Sequence, residues 1–379
     1  MKELLENSVI YKPKIMDSQD IDGFALNYGF EGDPIEISKK GWITSFDPDF
    51  NASATQIVNM YSNEIGINKI NALLVLIRDK ITYVFNNFPI TKVVYLSNAQ
   101  TIKAGTIIYK NQLIDILRIK FEDKFYKFEF YKGDKIIYLF RNEFNFGLYY
   151  NFLKNDNIDI VEQDIAKVYN LLDYNHIFST LNNDHLFPKI FNDGWFPFIS
   201  LIRFDNFKHI IEYYNTTESN KNAILFIKLF YNEEVLLNIM ERWWCNTALQ
   251  NKKTLLESGV RYYLSNTKDG YIASIKILIT EIEGILRLVI KDKLKNTKIL
   301  SFIEKLKEMN SKKYNSEYSL VLPSKFIDYI TISIYGNFDD SNIPDNRNSI
   351  SHGVAREEQY SWERALQIIL TIDHLVYFL

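Results

Sequence analysis

The chain is poor in the residues that staple a fold or bind metal through sulfur. One cysteine, Cys245, stands among 379 residues, which excludes an internal disulfide framework and a Cys-rich zinc site. Proline and glycine are sparse, at 8 and 14 residues, so collagen-like and Pro/Gly-rich disordered chains are excluded too. Neither charge dominates. Lys and Arg number 44 against 47 Asp and Glu, a formal net charge of −3, unlike a histone-type basic protein. Long apolar runs are missing: residues 71–85 are broken by Arg78, Asp79 and Lys80, well short of the roughly 18 apolar residues of a membrane span. The first ten residues, with Glu3 and Glu6, lack the apolar core of a signal peptide. Such a sequence predicts a cytoplasmic protein with no membrane segment. Asp373 and His374 interrupt the apolar stretch 365–379, which predicts an amphipathic helix there.

Familiar catalytic signatures are also absent. There is no Gly-x4-Gly-Lys-Ser/Thr phosphate loop, no Gly-x-Gly-x-x-Gly and no His-Glu-x-x-His, and five histidines make up the whole supply. No cofactor or metal is expected. Cys245, after Trp243-Trp244 on an apolar segment, reads as a buried structural thiol rather than a nucleophile. Acidic pairs such as Asp339-Asp340 have no ligand spacing and read as solvated loops.

What is present is a core-forming composition, 47% hydrophobic and 15% aromatic, at a length that predicts two or three domains. Residues 1–52 mix strand-like pieces with turn signals. Residues 54–87 predict helix, with Ile57, Met60, Tyr61, Ile65, Leu73, Leu74 and Ile77 about one turn apart. From 92 to 140 the texture predicts strands at 93–96, 107–109, 116–121, 125–131 and 136–140, the last two joined by a Lys132-Gly133-Asp134 turn. The expected division is an α+β domain of unknown role over 1–145, a helical middle region over 146–250 and an all-α bundle over 251–379. The aromatics Trp195, Phe196, Phe198, Trp243 and Trp244 read as core. In the last block helices are expected at 253–265, 269–295, 298–310, 324–336, near 344–352, and at 362–379.

One segment carries chemistry: Pro344-Asp345-Asn346-Arg347-Asn348-Ser349-Ile350-Ser351-His352-Gly353. A guanidinium presents a planar fork of donors to phosphate oxygens, and an imidazole exchanges a proton near neutral pH. Together they suffice for RNA cleavage without metal, in which the ribose 2′-OH attacks the adjacent phosphorus. The bare spacing Arg-x4–6-His is weakly specific. Ten arginines, five histidines and three offsets give about 0.4 chance matches, and a second pair, Arg203 and His209, six residues apart, also fits the pattern. That pair lacks the flanking amide and glycine and reads as structural.

With Asn346, Asn348 and Gly353 around it, the Arg347–His352 segment resembles the signature of the HEPN superfamily, over roughly residues 255–379. Residues 282–287 and 372–374 are similar to the flanking helices of that group. The resemblance implies a C-terminal all-helical bundle and metal-independent endoribonuclease activity. It casts Arg347 and His352 as catalytic residues, Asn348 and Glu283 as supporting ones, and RNA as the substrate. It further implies a homodimer that joins two motifs in one cleft, an antitoxin or sensing partner, and a toxin or abortive-infection (phage-defence) setting. Geometry agrees with pairing, since five residues of regular helix set Arg347 and His352 about 140° apart. Gly353 fits an αL stop that leaves His352 at a helix C-terminus. The same residues also fit a structural role, with Arg347 paired to an acid such as Glu283 and His352 lining the bundle. Non-catalytic HEPN domains make a binding or regulatory module the alternative. Glu283 is equally accounted for by an i,i+4 pair with Arg287.

The charge balance is uneven along the chain. Residues 251–379 carry 18 Lys and Arg against 16 Asp and Glu, a net +2, while the rest carries −5. Eight lysines crowd 291–313, among them Lys291, Lys293, Lys295 and Lys298, which are the candidate contacts to an RNA backbone; an ordinary solvated helix pair fits them as well.

Overall fold

The structure, a computed structural model, describes residues 13–17, 38–62, 66–96, 102–123, 127–153, 157–215, 221–290, 299–311, 314, 318–336, 347–351 and 355–379. It is a mixed α/β protein with an N-terminal sheet and helices after it. The chain divides into two compact units, residues 1–95 with 116–175, and residues 96–115 with 176–379. This partition does not follow the expected boundaries at 145 and 250.

The first unit is built on β1 (Lys14–Asp17), β2 (Lys40–Thr44), α1 (Phe50–Tyr61), β3 (Ala72–Arg78), β4 (Ile81–Asn86), β5 (Thr91–Leu96), β6 (Leu113–Lys120), β7 (Lys135–Asn142), β8 (Asn145–Asn151) and α2 (Ile158–Leu181). Of these, Leu96, residues 113–115 and the part of α2 beyond its kink at Tyr174, from His176 on, are counted with the second unit. Six strands form an antiparallel sheet in the order β1-β4-β3-β7-β8-β2, and β5 pairs with β6 apart from it. Strand β3 is buried on both faces. Leu73, Val75 and Ile77 pack with Phe50, Ala54, Ile57 and Val58 of α1, while Leu74 and Leu76 join a cluster with Val161, Ile165, Val168 and Tyr169 of α2. Asn170 of α2 ties β6 down, accepting from the Ile116 N–H (3.0 Å) and donating to the Ile116 carbonyl (3.2 Å).

The helix expected over 54–87 ends at Tyr61, and 72–86 is a hairpin. The apolar run Ala72–Ile77 mimics helical spacing because both faces of a central strand are buried, so period two is masked. The turn residues Asp79 (φ 49°) and Lys80 (φ 67°) both take left-handed backbone, as a two-residue hairpin turn requires. Three further corrections concern strands. Residues 107–109 are not a strand, and Ile107 and Tyr109 are exposed. Residues 127–131 are not one either; Lys127 forms a lone bridge with Glu122, and 124–126 lie outside the described residues. Finally, β8 continues the sheet past 145, paired to β7 from Asn142↔Asn145 to Ile136↔Asn151.

The second unit contains α3 (Leu186–Asn192), α4 (Ile199–Arg203), α5 (Phe207–Asn215), α6 (Lys221–Phe230), α7 (Glu233–Trp244), α8 (Thr247–Gln250), α9 (Lys253–Leu264), α10 (Lys268–Ile290), α11 (Ile299–Ser311), α12 (Pro323–Tyr329), α13 (Arg347–Ser351) and α14 (Trp362–Leu375). A π-helical turn, Ile330–Ile334, follows α12 directly. Helices α9 and α10 approach closely at Gly259, where an added Cβ would meet Leu278 Cδ2 at 2.4 Å. Trp195, Phe196, Phe198 and Trp243 are buried as expected, and Trp244 is half-buried. Cys245 is half-buried at the end of α7 rather than fully buried.

Helix α14 corrects the expectation of an amphipathic helix. Every residue from Arg364 to Leu375 is buried, so the helix has no solvent face along that length. Its polar residues are held by hydrogen bonds inside the unit. Arg364 Nη2 donates to the Ser333 carbonyl of the π turn (2.8 Å), and Gln367 Nε2 donates to the Asp193 carbonyl (2.9 Å). Asp373 and His374 are treated with the candidate site below. Among the described residues no helix is long and apolar enough to cross a membrane.

Candidate active site

Arg347 and Asn348 are the first two residues of α13, a five-residue helix that packs against α10. Ser349 and Ile350 of α13 are buried and Ser351 is exposed. His352 follows the last residue of α13 and lies outside the described residues, as do Asn346, Gly353, Lys291, Lys293, Lys295 and Lys298. Within the 344–352 window expected for a helix, the described residues 347–351 are helical.

Glu283 is half-buried on α10, and its Oε1 accepts from Arg287 Nε at 2.7 Å, one helical turn on. The Arg287 guanidinium also lies 5.2 Å from the centre of the Phe302 ring of α11. The i,i+4 pairing expected for Glu283 is thus present. Lys305, in the lysine-rich stretch, pairs with Glu308 at 2.6 Å.

The second Arg–His pair is dispersed into structural roles. Arg203, ending α4, donates from Nη1 to Tyr377 OH at 2.9 Å. His209 on α5 sits 3.7 Å from Glu212, and its ring lies 4.3 Å from the Phe226 ring, tilted by 43°. The spacing alone carries no site there.

A cluster of buried polar and titratable groups in the second unit centres on Asp373 and His374 of α14, residues the sequence suggested for a solvent-facing stripe. Asp373 accepts from Ser200 Oγ, from Arg242 Nη2 through both oxygens (2.8 and 2.9 Å) and from Trp243 Nε1 (3.0 Å). Burial works against the Arg242 charge, and Asp373 together with Tyr377 and Tyr231 outweighs it and holds the guanidinium above its ordinary value. His374 receives the Ile199 N–H at Nδ1 (2.9 Å), which assigns the proton to Nε2, facing the Val321 carbonyl at 2.8 Å. Burial pushes His374 down to about 4, so it is neutral at pH 7. Ser, His and Asp are neighbours here without forming a nucleophilic relay. Ser200 bonds to Asp373, His374 bonds to backbone on both nitrogens, and all three side chains are sealed from solvent. Ser200 lies 173 residues before Asp373, which leaves no local spacing to read.

His176 is also pushed down to about 4 by burial, with Lys208 adding to the effect and Asp205, 3.7 Å away, opposing it. Among the described residues no group of three or more His, Cys, Asp or Glu could hold a metal ion. Comparison with family models, with curated proteins and with solved structures finds no match to this chain.

Proposed function

We propose that the chain is an endoribonuclease of the HEPN type, cleaving RNA without metal at a site made by two copies. The observation that carries this reading is the segment Asn346-Arg347-Asn348-x3-His352-Gly353, of which residues 347–351 are helical, after the run α9–α12. The Arg347 guanidinium clamps the scissile phosphate and stabilises the charge that develops on its oxygens. One His352 takes the 2′-OH proton as the 2′ oxygen attacks phosphorus; the other gives a proton to the departing 5′ oxygen as the P–O5′ bond breaks. The products carry a 2′,3′-cyclic phosphate and a 5′-hydroxyl. Asn348 and Glu283 orient the motif, and Lys291, Lys293, Lys295 and Lys298 draw in the RNA backbone. A toxin or abortive-infection role, with an antitoxin or sensing partner, rests on the family analogy alone.

The test is incubation of total RNA with the purified chain in EDTA, with end-group analysis of the products. Wild type is expected to cleave and leave cyclic phosphate ends, and Arg347→Ala and His352→Ala each to abolish cleavage while keeping the wild-type thermal melt. Cleavage that survives both substitutions removes the site. Intact RNA over a wide range of wild-type concentrations makes the chain a binding or regulatory module instead.

A further inference from the structure

A cavity of about 380 Å³ opens in the first unit between the turn 130–134, Ile136 of β7, the end of β8 and the first turn of α2. That volume lies in the lower part of the range of small-molecule sites. Phe130, Ile136, Leu153, Ile158 and Val161 supply its apolar lining. Ile136 and Val161 belong to the core cluster under the sheet, so the floor is held in place by packing that exists without a ligand.

The polar lining is one-sided. Asp134 already accepts from Arg78 Nε (2.8 Å), Arg78 Nη2 (2.6 Å) and the Tyr131 N–H (2.8 Å). Its charge is matched by the guanidinium, which also covers the Tyr131 ring at 4.0 Å. Asn151 Oδ1 accepts from the Leu153 N–H (2.8 Å), and Asn157 Oδ1 from the Asp159 N–H (3.2 Å). Each of those amide oxygens already accepts from a backbone N–H, and the Asn151 amide donates to Tyr149 OH (3.2 Å). On the open side stand the Asn157 amide nitrogen and the ammonium of the exposed Lys132, both donors. An apolar floor under a cation and an amide donor is the complement of an anion with an apolar body.

We propose that this cavity binds a small monocarboxylate with an apolar body, its chain over Ile136 and Val161 and its carboxylate at Lys132 and the Asn157 amide. The site is independent of RNA cleavage, and either assignment stands if the other fails.

The test is calorimetric titration of the full chain with sodium octanoate, repeated with 1-octanol, with displacement of anilinonaphthalene sulfonate as a second readout. The expected result is saturable binding of octanoate at one site per chain, displacement of the dye, and a preference for octanoate over octanol of about tenfold. Lys132→Glu, on an exposed turn, is expected to weaken octanoate by about tenfold. Leu153→Trp, at a half-exposed position on the rim, is expected to abolish binding of both probes with the thermal melt unchanged. No saturable octanoate binding overturns the proposal. So does an affinity unchanged in both variants, which puts the probe elsewhere, or equal binding of octanol, which removes the anion recognition.

Discussion

The buried pair Arg242–Asp373 allows a quantitative test of what fixes α14 in the second unit. Asp373 is 1% exposed and receives donors from three residues on two helices, α4 and α7. Asp373→Asn keeps the shape and removes the charge. The guanidinium is then a buried cation with no counter-charge, and one carboxylate oxygen becomes an NH₂ that faces a donor. Breaking a buried pair from one side costs about 3–5 kcal/mol, because the partner charge stays desolvated. Arg242→Gln alone strands the carboxylate and costs a similar amount, softened by the donors of Ser200 and Trp243. The double variant Arg242→Gln/Asp373→Asn strands neither charge, and its loss should fall short of the sum of the singles by on the order of 2 kcal/mol. Urea unfolding followed by tryptophan emission is the assay, since Trp195, Trp243, Trp244 and Trp362 report the second unit and Trp42 alone the first. A cost below about 1 kcal/mol for Asp373→Asn, or singles that add within about 0.5 kcal/mol, refutes the reasoning.

Three other outcomes are expected. His374 folds neutral, pushed down to about 4 from 6.5, while the unfolded chain takes up a proton near 6.5. Its stabilisation is therefore full above pH 6.5 and is lost as pH falls toward 4, on the order of 3 kcal/mol. His176 acts in the same direction, whereas Asp115, pushed up to about 6 by burial, stabilises at low pH and loses its contribution as pH rises from 3.8 through 6. The urea midpoint of the second unit should drop between pH 7 and 4.5, with a shallower drop in His374→Gln, whose amide can accept from Ile199 and donate to Val321; an unchanged slope contradicts the assignment. Gly259→Ala drives a methyl into Leu278 and should cost about 1–3 kcal/mol in the same unfolding assay, a neutral result indicating that α9 and α10 part freely. Conversely, Asp79→Asn with Lys80→Gly suits the left-handed turn between β3 and β4 and should gain about 0.5–1 kcal/mol, read as a raised melting temperature of the first unit.

How far the fold was legible depended on whether one face of an element meets water. Helix α9 (Lys253–Leu264) matches the predicted 253–265, and α11 (Ile299–Ser311) matches 298–310, because each keeps an apolar stripe against a polar one. Where burial is two-sided the stripe vanishes. Strand β3 presents six consecutive apolar residues, a run that helical spacing fits as well, although the β-branched and aromatic run Ile81–Phe85 after Asp79-Lys80 carries the hairpin signal. Helix α14 is the counterpart: Asp373 and His374 suggest a wet face to any one-dimensional reading, yet they are the best-satisfied polar groups of a dry helix. Their partners Ser200, Arg242, Ile199 and Val321 come from distant parts of the chain, and no local pattern announces them.

The candidate site makes the converse point about spacing. Two Arg–His pairs of near-equal separation occur in this chain, and the structure assigns the first to packing: Arg203 serves Tyr377 and His209 serves Glu212 and Phe226. Separation in sequence therefore does not select for chemistry; what surrounds the two residues does. Arg203 closes a helix whose neighbours Leu201 and Ile202 are buried, so its guanidinium is drawn into the network around α14. Around Arg347 the sequence sets Asn346, Asn348 and Gly353, amides and a turn former in place of the apolar neighbours of Arg203, and that context, not the spacing, is what the proposed RNase reading rests on.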